Sequence, residues 1–323
     1  MDLWIEIDGM GRVVDARRRD HPISPLIPIP ASDIDATPLL RSGPDEREFV
    51  VEMAIGGART IRGRAQRFVS GFDHATFAIR ILADAVPSFT EDIDCAPPAR
   101  RQLTDIGCHH RREGGLVLVT GGNAAGKTWF SSALFAHWHR HWGGVGITLE
   151  NPPELPLHGE WGGGRCYQRQ VSERAMGEAV IEAMRQGMDR LLVGEIRTTE
   201  AIRESLNAAG SGALVIAPCH GGTIAEAIRR FILLSTGTSD HQLQAAPELY
   251  RNLLAGSLRA IVHLTPVPRD DGVVFSSTAL FASPAVSALI RGDRVHLLGN
   301  ELAAQHARMR MATAEADRMG EGR

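Results

Sequence analysis

No stretch of this sequence is long and apolar enough to cross a membrane, which excludes a helical membrane span. The first ten residues carry Asp2, Glu6 and Asp8 and lack a basic start followed by an apolar run, so no secretory signal is expected. Cysteine is scarce. Cys95, Cys108, Cys166 and Cys219 are scattered without a CxxC pair, which points to free thiols in a reducing cytoplasm rather than to a disulfide framework or a zinc site. Excess positive charge is missing as well: the formal net charge is -3, so bulk charge gives no sign of a nucleic-acid binder. There is neither an internal repeat nor a low-complexity tract. What is present is an ordinary globular composition, 43% hydrophobic and 23% charged, in 323 residues, enough for two domains.

The pattern along the chain divides in two. Residues 1–95 read as a mixed domain with strand-like runs at Leu3 to Ile7, Phe49 to Ala54, Ala58 to Val69 and Thr76 to Leu82, and a Pro-rich loop over 21–45. Pro87, Pro97 and Pro98 break regular structure, and a linker is expected over 96–113. From 114 to 323 the pattern becomes strand, Gly-rich turn, helix, strand, which argues for a parallel sheet covered by helices. Continuous apolar runs at Leu116 to Val119, Ile147 to Leu149, Leu191 to Val193 and Leu214 to Ala217 fit strands buried on both faces. Helical periodicity fits Thr128 to His139, Glu173 to Arg185, Thr199 to Ala208, Thr223 to Leu234 and Pro247 to Leu258.

The segment Gly121-Gly122-Asn123-Ala124-Ala125-Gly126-Lys127-Thr128 matches GxxxxGK[ST] between an expected buried strand and an expected helix. Glycines let backbone N–H groups turn inward and cradle phosphate oxygens, and the helix N-terminus adds partial positive charge. Lys127 would pair with the β- and γ-phosphates and Thr128 would offer its hydroxyl to Mg²⁺. Glu195, ending Arg190-Leu-Leu-Val-Gly-Glu195, would orient Mg²⁺ through water or polarise the attacking water. From Gly115 onward, Lys127 is the one evident cation for the phosphates.

Four segments in this order resemble the PilT-like traffic ATPases: Gly121 to Thr128; Ile147-Thr-Leu-Glu150-Asn151-Pro152-Pro153-Glu154, like the family's Asp box; Leu192-Val-Gly-Glu195-Ile-Arg197, like its Walker B segment; and Gly210 through His220, like its His box. Tyr167-Gln-Arg169-Gln-Val171 is similar to its NQREV strand. Arg67-Phe-Val with Ala78-Ile-Arg80, and Pro284 to Arg291, extend the resemblance over residues ~60 to ~295.

The resemblance implies an α/β protein: a RecA-like P-loop ATPase core preceded by a smaller α+β, PAS-like N-terminal domain. It implies ATP and Mg²⁺ as cofactors and a homo-hexameric ring. The ring would drive a type IV pilus, conjugation or secretion machine from the cytoplasmic face of the inner membrane, against a platform protein, with no direct nucleic-acid partner. Glu150 would be the carboxylate that activates water, Glu195 the Walker B acid, and His220 the histidine near the γ-phosphate. Arg67 and Arg80 would reach phosphates across an interface, a task suited to a permanent, forked charge.

Four departures bear on turnover. Asn151 stands where the family has Asp, Ala213 replaces the first His-box histidine, Pro218 stands for Thr, and the loop filler is Asn-Ala-Ala. Two rival readings stay open: a ring subunit that binds nucleotide and hydrolyses little, and a nucleic-acid-dependent RecA-like ATPase. His137 and His141 share a helix face at a metal-ligand spacing, yet a solvated helix end is the better expectation. The basic run His109 to Arg112 reads as solvated loop, and Asp270-Asp271-Gly272 as a hairpin turn.

Overall fold

The computed structural model describes residues 2–20, 25–41, 48–56, 59–70, 74–108, 114–237, 247–269 and 272–320. The basic run at 109–112 and the turn residues 270–271 lie outside them. The chain forms two compact units. The first comprises residues 1–85 and 152–156, and the second 86–151 and 157–323.

The first unit is an antiparallel sheet. Its strands are β1 (Asp2–Asp8), β2 (Val13–Arg19), β3 (Ile27–Pro28), β4 (Glu48–Ile55), β5 (Arg59–Ser70) and β6 (His74–Ile81), in spatial order β3-β2-β1-β6-β5-β4. Alternation decides its faces. Leu3, Ile5 and Ile7 of β1 join Phe49, Val51, Met53, Ile61, Ala65, Phe77 and Ile79 in one apolar core, which a single-turn helix α1 (Thr37–Leu40) caps with Leu39. The opposite face is charged. Asp2 pairs with Arg19 at 3.2 Å and with Arg80 at 3.6 Å. Arg64, directly across from Arg80, pairs with Glu48, and at 2.9 Å with Glu154. β2 was not expected from sequence, because its Val-Val-Asp-Ala-Arg-Arg-Arg run lacks apolar alternation; Ala16 alone is buried. It forms because β1 and β3 supply ladders on both sides.

Residues 86–108 belong to the second unit and hold a helix, α2 (Pro97–Ile106), where a linker was expected. Pro97 and Pro98 sit in the first turn, where a missing N–H costs nothing, so they start this helix instead of breaking it. Arg100 then donates to Thr90 O and Ile93 O at 2.8 Å and fastens the preceding segment to it.

The remaining strands are β7 (Gly115–Gly121), β8 (Gly144–Glu150), β9 (Gly159–Trp161), β10 (Gly164–Gln170), β11 (Arg190–Val193), β12 (Leu214–His220), β13 (Leu258–Arg269) and β14 (Gly272–Phe281). Their order is β14-β13-β7-β12-β11-β8-β10-β9. The six inner strands run parallel and each edge strand antiparallel. Every residue of β7 is buried: Leu116 and Leu118 enter one core, Val117 and Val119 the other. The first core lies under α4 (Met176–Arg185), α5 (Thr199–Gly210), α6 (Ile224–Thr236), α7 (Pro247–Ser257) and α8 (Pro284–Arg291). The second lies under α2 and α3 (Lys127–Trp142). Such double cover is what a parallel sheet requires. A last helix, α9 (Leu298–Gly320), ends the described chain. Among the described residues no helix is long and apolar enough to cross a membrane.

His137 is not solvated as expected. It is half-buried, lies 3.0 Å from Thr104 Oγ1 and 5.1 Å from the Phe89 ring, and burial pushes its pKa down to about 4, so it stays neutral.

Candidate functional site

The phosphate loop joins β7 to α3. Gly126 takes a left-handed φ of 79°, and Ala124 does the same at 56°, a conformation that costs a side-chain-bearing residue roughly 1–2 kcal/mol. Lys127 opens the helix. Its Nζ donates to Gly122 O at 2.6 Å and Gly121 O at 3.2 Å, and stands 3.4 Å from His220 Nδ1. Burial lowers its pKa, with Glu195 offsetting part of that shift. Lys127 is also the only lysine in the chain.

Parallel registry assembles the rest. β12 runs beside β7 and ends with His220 opposite Gly121. β11 runs beside β12, and its extension carries Glu195 to His220 Nε2 at 2.5 Å and to Arg197 Nη2 at 2.5 Å. Burial alone would push the Glu195 carboxyl up, but Arg197 and His220 outweigh it and hold it below the ordinary carboxylate range. Lys127, His220, Glu195 and Arg197 thus form one chain of alternating polar contacts at the C-terminal edge of the sheet, where open α/β sheets bind ligands.

Glu150 ends β8, the strand next to β11, and reaches the same edge. It is 3% exposed and accepts from Gln168 Nε2 at 2.8 Å. A Cβ at Gly194 would stand 2.9 Å from Glu150 Cγ, so glycine is needed beside this carboxylate. A cleft of ≈ 580 Å³ opens over the loop, lined by Gly122, Asn123, Arg197, His220, Glu226 and Arg230 among others. Arg197 and Arg230 correct the expectation that Lys127 stands alone as a cation in this unit. Thr128 and Glu195 offer the hard oxygen donors that suit Mg²⁺, which is commonly held through one or two carboxylates plus substrate phosphates.

Arg67 and Arg80 lie in the first unit, whereas Lys127, His220, Glu195 and Glu150 lie in the second. Arg67 packs over the Phe77 ring at 5.9 Å, and Arg80 is 66% exposed with Asp2 as its ion-pair partner. Glu154 is held by Arg64, while Arg62 donates to Pro153 O and Glu154 O.

The family described as "Type II/IV secretion system protein" matches residues 51–271. The chain belongs to that family. It is a PilT-like traffic ATPase, with an N-terminal domain ahead of a RecA-like core. It is 30% identical over 292 residues to the protein YggR of Escherichia coli, covering 88% of this chain and 82% of that one. It is 31% identical over 186 residues to the type IV pilus retraction ATPase PilT of Pseudomonas aeruginosa, covering 56% of this chain and 51% of that one. Among solved structures, the pilus retraction motor PilT with bound ADP aligns at a TM-score of 0.69 and 21% identity, covering 92% of this chain and 84% of the other. The Legionella pneumophila ATPase DotB aligns at 0.64 and 17%, covering 96% and 83%.

Two of the traffic ATPase's departures lose their threat in this setting. Ala213 precedes β12 and lies at the opposite end of that strand from His220, roughly 20 Å away at the rise of a strand. Pro218 sits in a central strand, where proline normally removes a ladder bond. The Leu214 N–H faces β11, donating to Asp189 O, so by alternation the Pro218 nitrogen also faces that side. There it faces Val193, the last residue of β11, so the proline forgoes the terminal bond of that ladder, while Pro218 O still accepts from Ile196 N at 3.4 Å.

Sequence reasoning missed Gln168 and Arg230. Gln168 lies inside the Tyr167 to Val171 segment already singled out, and its signal was a polar residue on a strand beside a buried acid. Arg230 had no signal beyond its helix.

Proposed function

We propose that this chain is the ATP-hydrolysing subunit of a homo-hexameric motor at the cytoplasmic face of the inner membrane. It would work against the platform protein of a type IV pilus, conjugation or secretion machine. The observation that carries this reading is the continuous contact from the phosphate-loop lysine through His220 to Glu195, at the ends of three adjacent parallel strands. Lys127 and the loop amides would hold the phosphates, and Thr128 and Glu195 would hold Mg²⁺, whose contribution there would be charge neutralisation. Glu150 accepts the proton of the attacking water, and His220 positions the γ-phosphate. Arg67 or Arg80 adds charge when the ring closes, tying hydrolysis to movement.

One observation favours the second reading, a ring subunit with little turnover: Glu150 is almost fully buried and bonded to Gln168, not open to water. Light scattering with and without ATP, alongside steady-state hydrolysis, separates the two. A ring that hydrolyses ATP and loses activity in Arg67→Ala or Arg80→Ala supports the motor. A ring that binds ATP without turnover supports the second reading. A strictly monomeric, fully active protein indifferent to both arginine changes contradicts the first.

A further inference from the structure

We propose that Phe275, assisted by Trp129, forms the wall that takes the adenine base of the nucleotide. The proposal rests on the phosphate-site reading above and adds the other end of the ligand.

Topology sets the direction. β7, which delivers the phosphate loop, has two neighbours. On one side β12 brings His220, and the extension of the next strand, β11, brings Glu195 and the cleft with Arg197 and Arg230, groups that suit the γ-phosphate end. A triphosphate with that end toward β12 must send its α-phosphate and nucleoside toward the other neighbour, β13. There the sheet continues past the end of β7. β13 pairs with β7 as far as Leu264 opposite Gly121, while its pairing with β14 runs on through Thr265–Ser276 to Arg269–Gly272. A two-stranded arm therefore projects beyond the end of β7, where the phosphate loop begins, by about five residues, on the order of 15 Å.

Phe275 stands at the base of that arm, opposite Pro266. A Cβ built on Gly126 would come within 3.0 Å of its Cδ2 and 3.1 Å of its Cγ, so the ring lies against the loop backbone one residue before Lys127. Phe275 belongs to none of the apolar cores and stays partly exposed. The arm positions around it, Thr265 to Val267 and Val274 to Ser276, hold no charge. An uncharged, partly exposed aromatic surface suits an uncharged π-face rather than more phosphate. Trp129 follows Thr128 in the first turn of α3 and is 36% exposed, whereas Trp138 on the same helix is fully buried. It adjoins the same loop and supplies a second aromatic face where the α-phosphate gives way to the nucleoside.

The test compares ATP with inorganic triphosphate, each with Mg²⁺, by calorimetry on the full chain. Phe275→Ala is expected to weaken ATP about tenfold, within the range of a lost base–aromatic stack, and to leave triphosphate within about twofold. Phe275→Leu keeps bulk against Gly126 without a π-face and should show the same selective loss, which covers the case of an unstable Ala variant. ATP should change tryptophan fluorescence more than triphosphate does, and Trp129→Phe should remove that difference. Equal weakening of both ligands in the Phe275 variants, or of neither, overturns the proposal. A fluorescence response that is the same for both ligands removes Trp129 from the wall. If Lys127→Ala leaves both affinities unchanged, the phosphate site itself is misplaced, a failure distinct from that of the base wall.

Discussion

Two cations sit at opposite ends of the central parallel sheet, and they are wired differently. At the N-terminal edge, Arg190 is fully buried at the start of β11. It donates from Nε and Nη2 to Gly107 O, at 3.1 and 2.6 Å, and from Nη1 to Gly143 O at 2.6 Å. Burial brings its pKa down to about 10, with Asp189 offsetting part of the shift, so it remains charged at neutral pH. It ties the ends of α2 and α3 to the sheet. At the C-terminal edge, Lys127 rests on carbonyls of its own loop and beside His220, contacts that incoming phosphate oxygens can replace. A forked, fixed charge closes a structure, and a single-point charge with exchangeable partners leaves a site open. The sequence uses one lysine in 323 residues, and places it where exchange is needed.

The largest expected effect breaks the open end. Lys127→Ala should abolish ATP turnover and weaken nucleotide binding, because the phosphate charge loses its main side-chain partner. The melting temperature should hold, since the residue's contacts are with loop carbonyls at the surface of the sheet. Steady-state hydrolysis and thermal unfolding of the same preparation check both halves.

Next come the two acids at that edge. Glu195→Gln should keep nucleotide binding and slow hydrolysis by roughly 10²-fold, the scale of losing a charge-positioning group. Glu150→Gln should do the same if Glu150 serves as the base. Equal rates for wild type and Glu150→Gln would leave Glu150 with a structural role, as a buried acceptor for Gln168.

The closed end should respond in the opposite sense. Arg190→Met leaves Gly107 O and Gly143 O without this donor and should cost about 3 kcal/mol of stability. Turnover per folded molecule should persist, measured below the lowered melting point. The smallest expected change is a gain. Ala124→Gly relieves a left-handed residue in the loop and should add about 1 kcal/mol, a rise of roughly 2 °C in melting temperature.

Motif chemistry was legible because phosphate binding dictates residue types at fixed spacing, and the parallel strands were legible because double burial removes polar residues from them. The site's second layer was not. Gln168 meets Glu150 only through the β8–β10 registry, and Phe275 meets Gly126 only because the β13–β14 arm runs past β7. Arg190 gave no signal of its role, since nothing local shows that two distant glycine carbonyls converge on it. Helix α2 was hidden by its own prolines, whose meaning depends on whether a helix begins or continues there. In the first unit, β2 was hidden by its arginines: its exposed face carries charge, and neighbours supply its order.

The most direct measurement uses the single lysine. An amine-acylating reagent at mildly alkaline pH can modify one lysine side chain in this chain, and peptide mass spectrometry reads the extent at Lys127 with and without saturating ATP. The lowered pKa raises the share of neutral, reactive amine at a given pH relative to an exposed lysine. ATP and inorganic triphosphate are both expected to block acylation at Lys127 while leaving the α-amino group reactive. Labelling of Lys127 that proceeds equally with and without saturating nucleotide would contradict the account, because the one exchangeable cation would then lie outside the phosphate site.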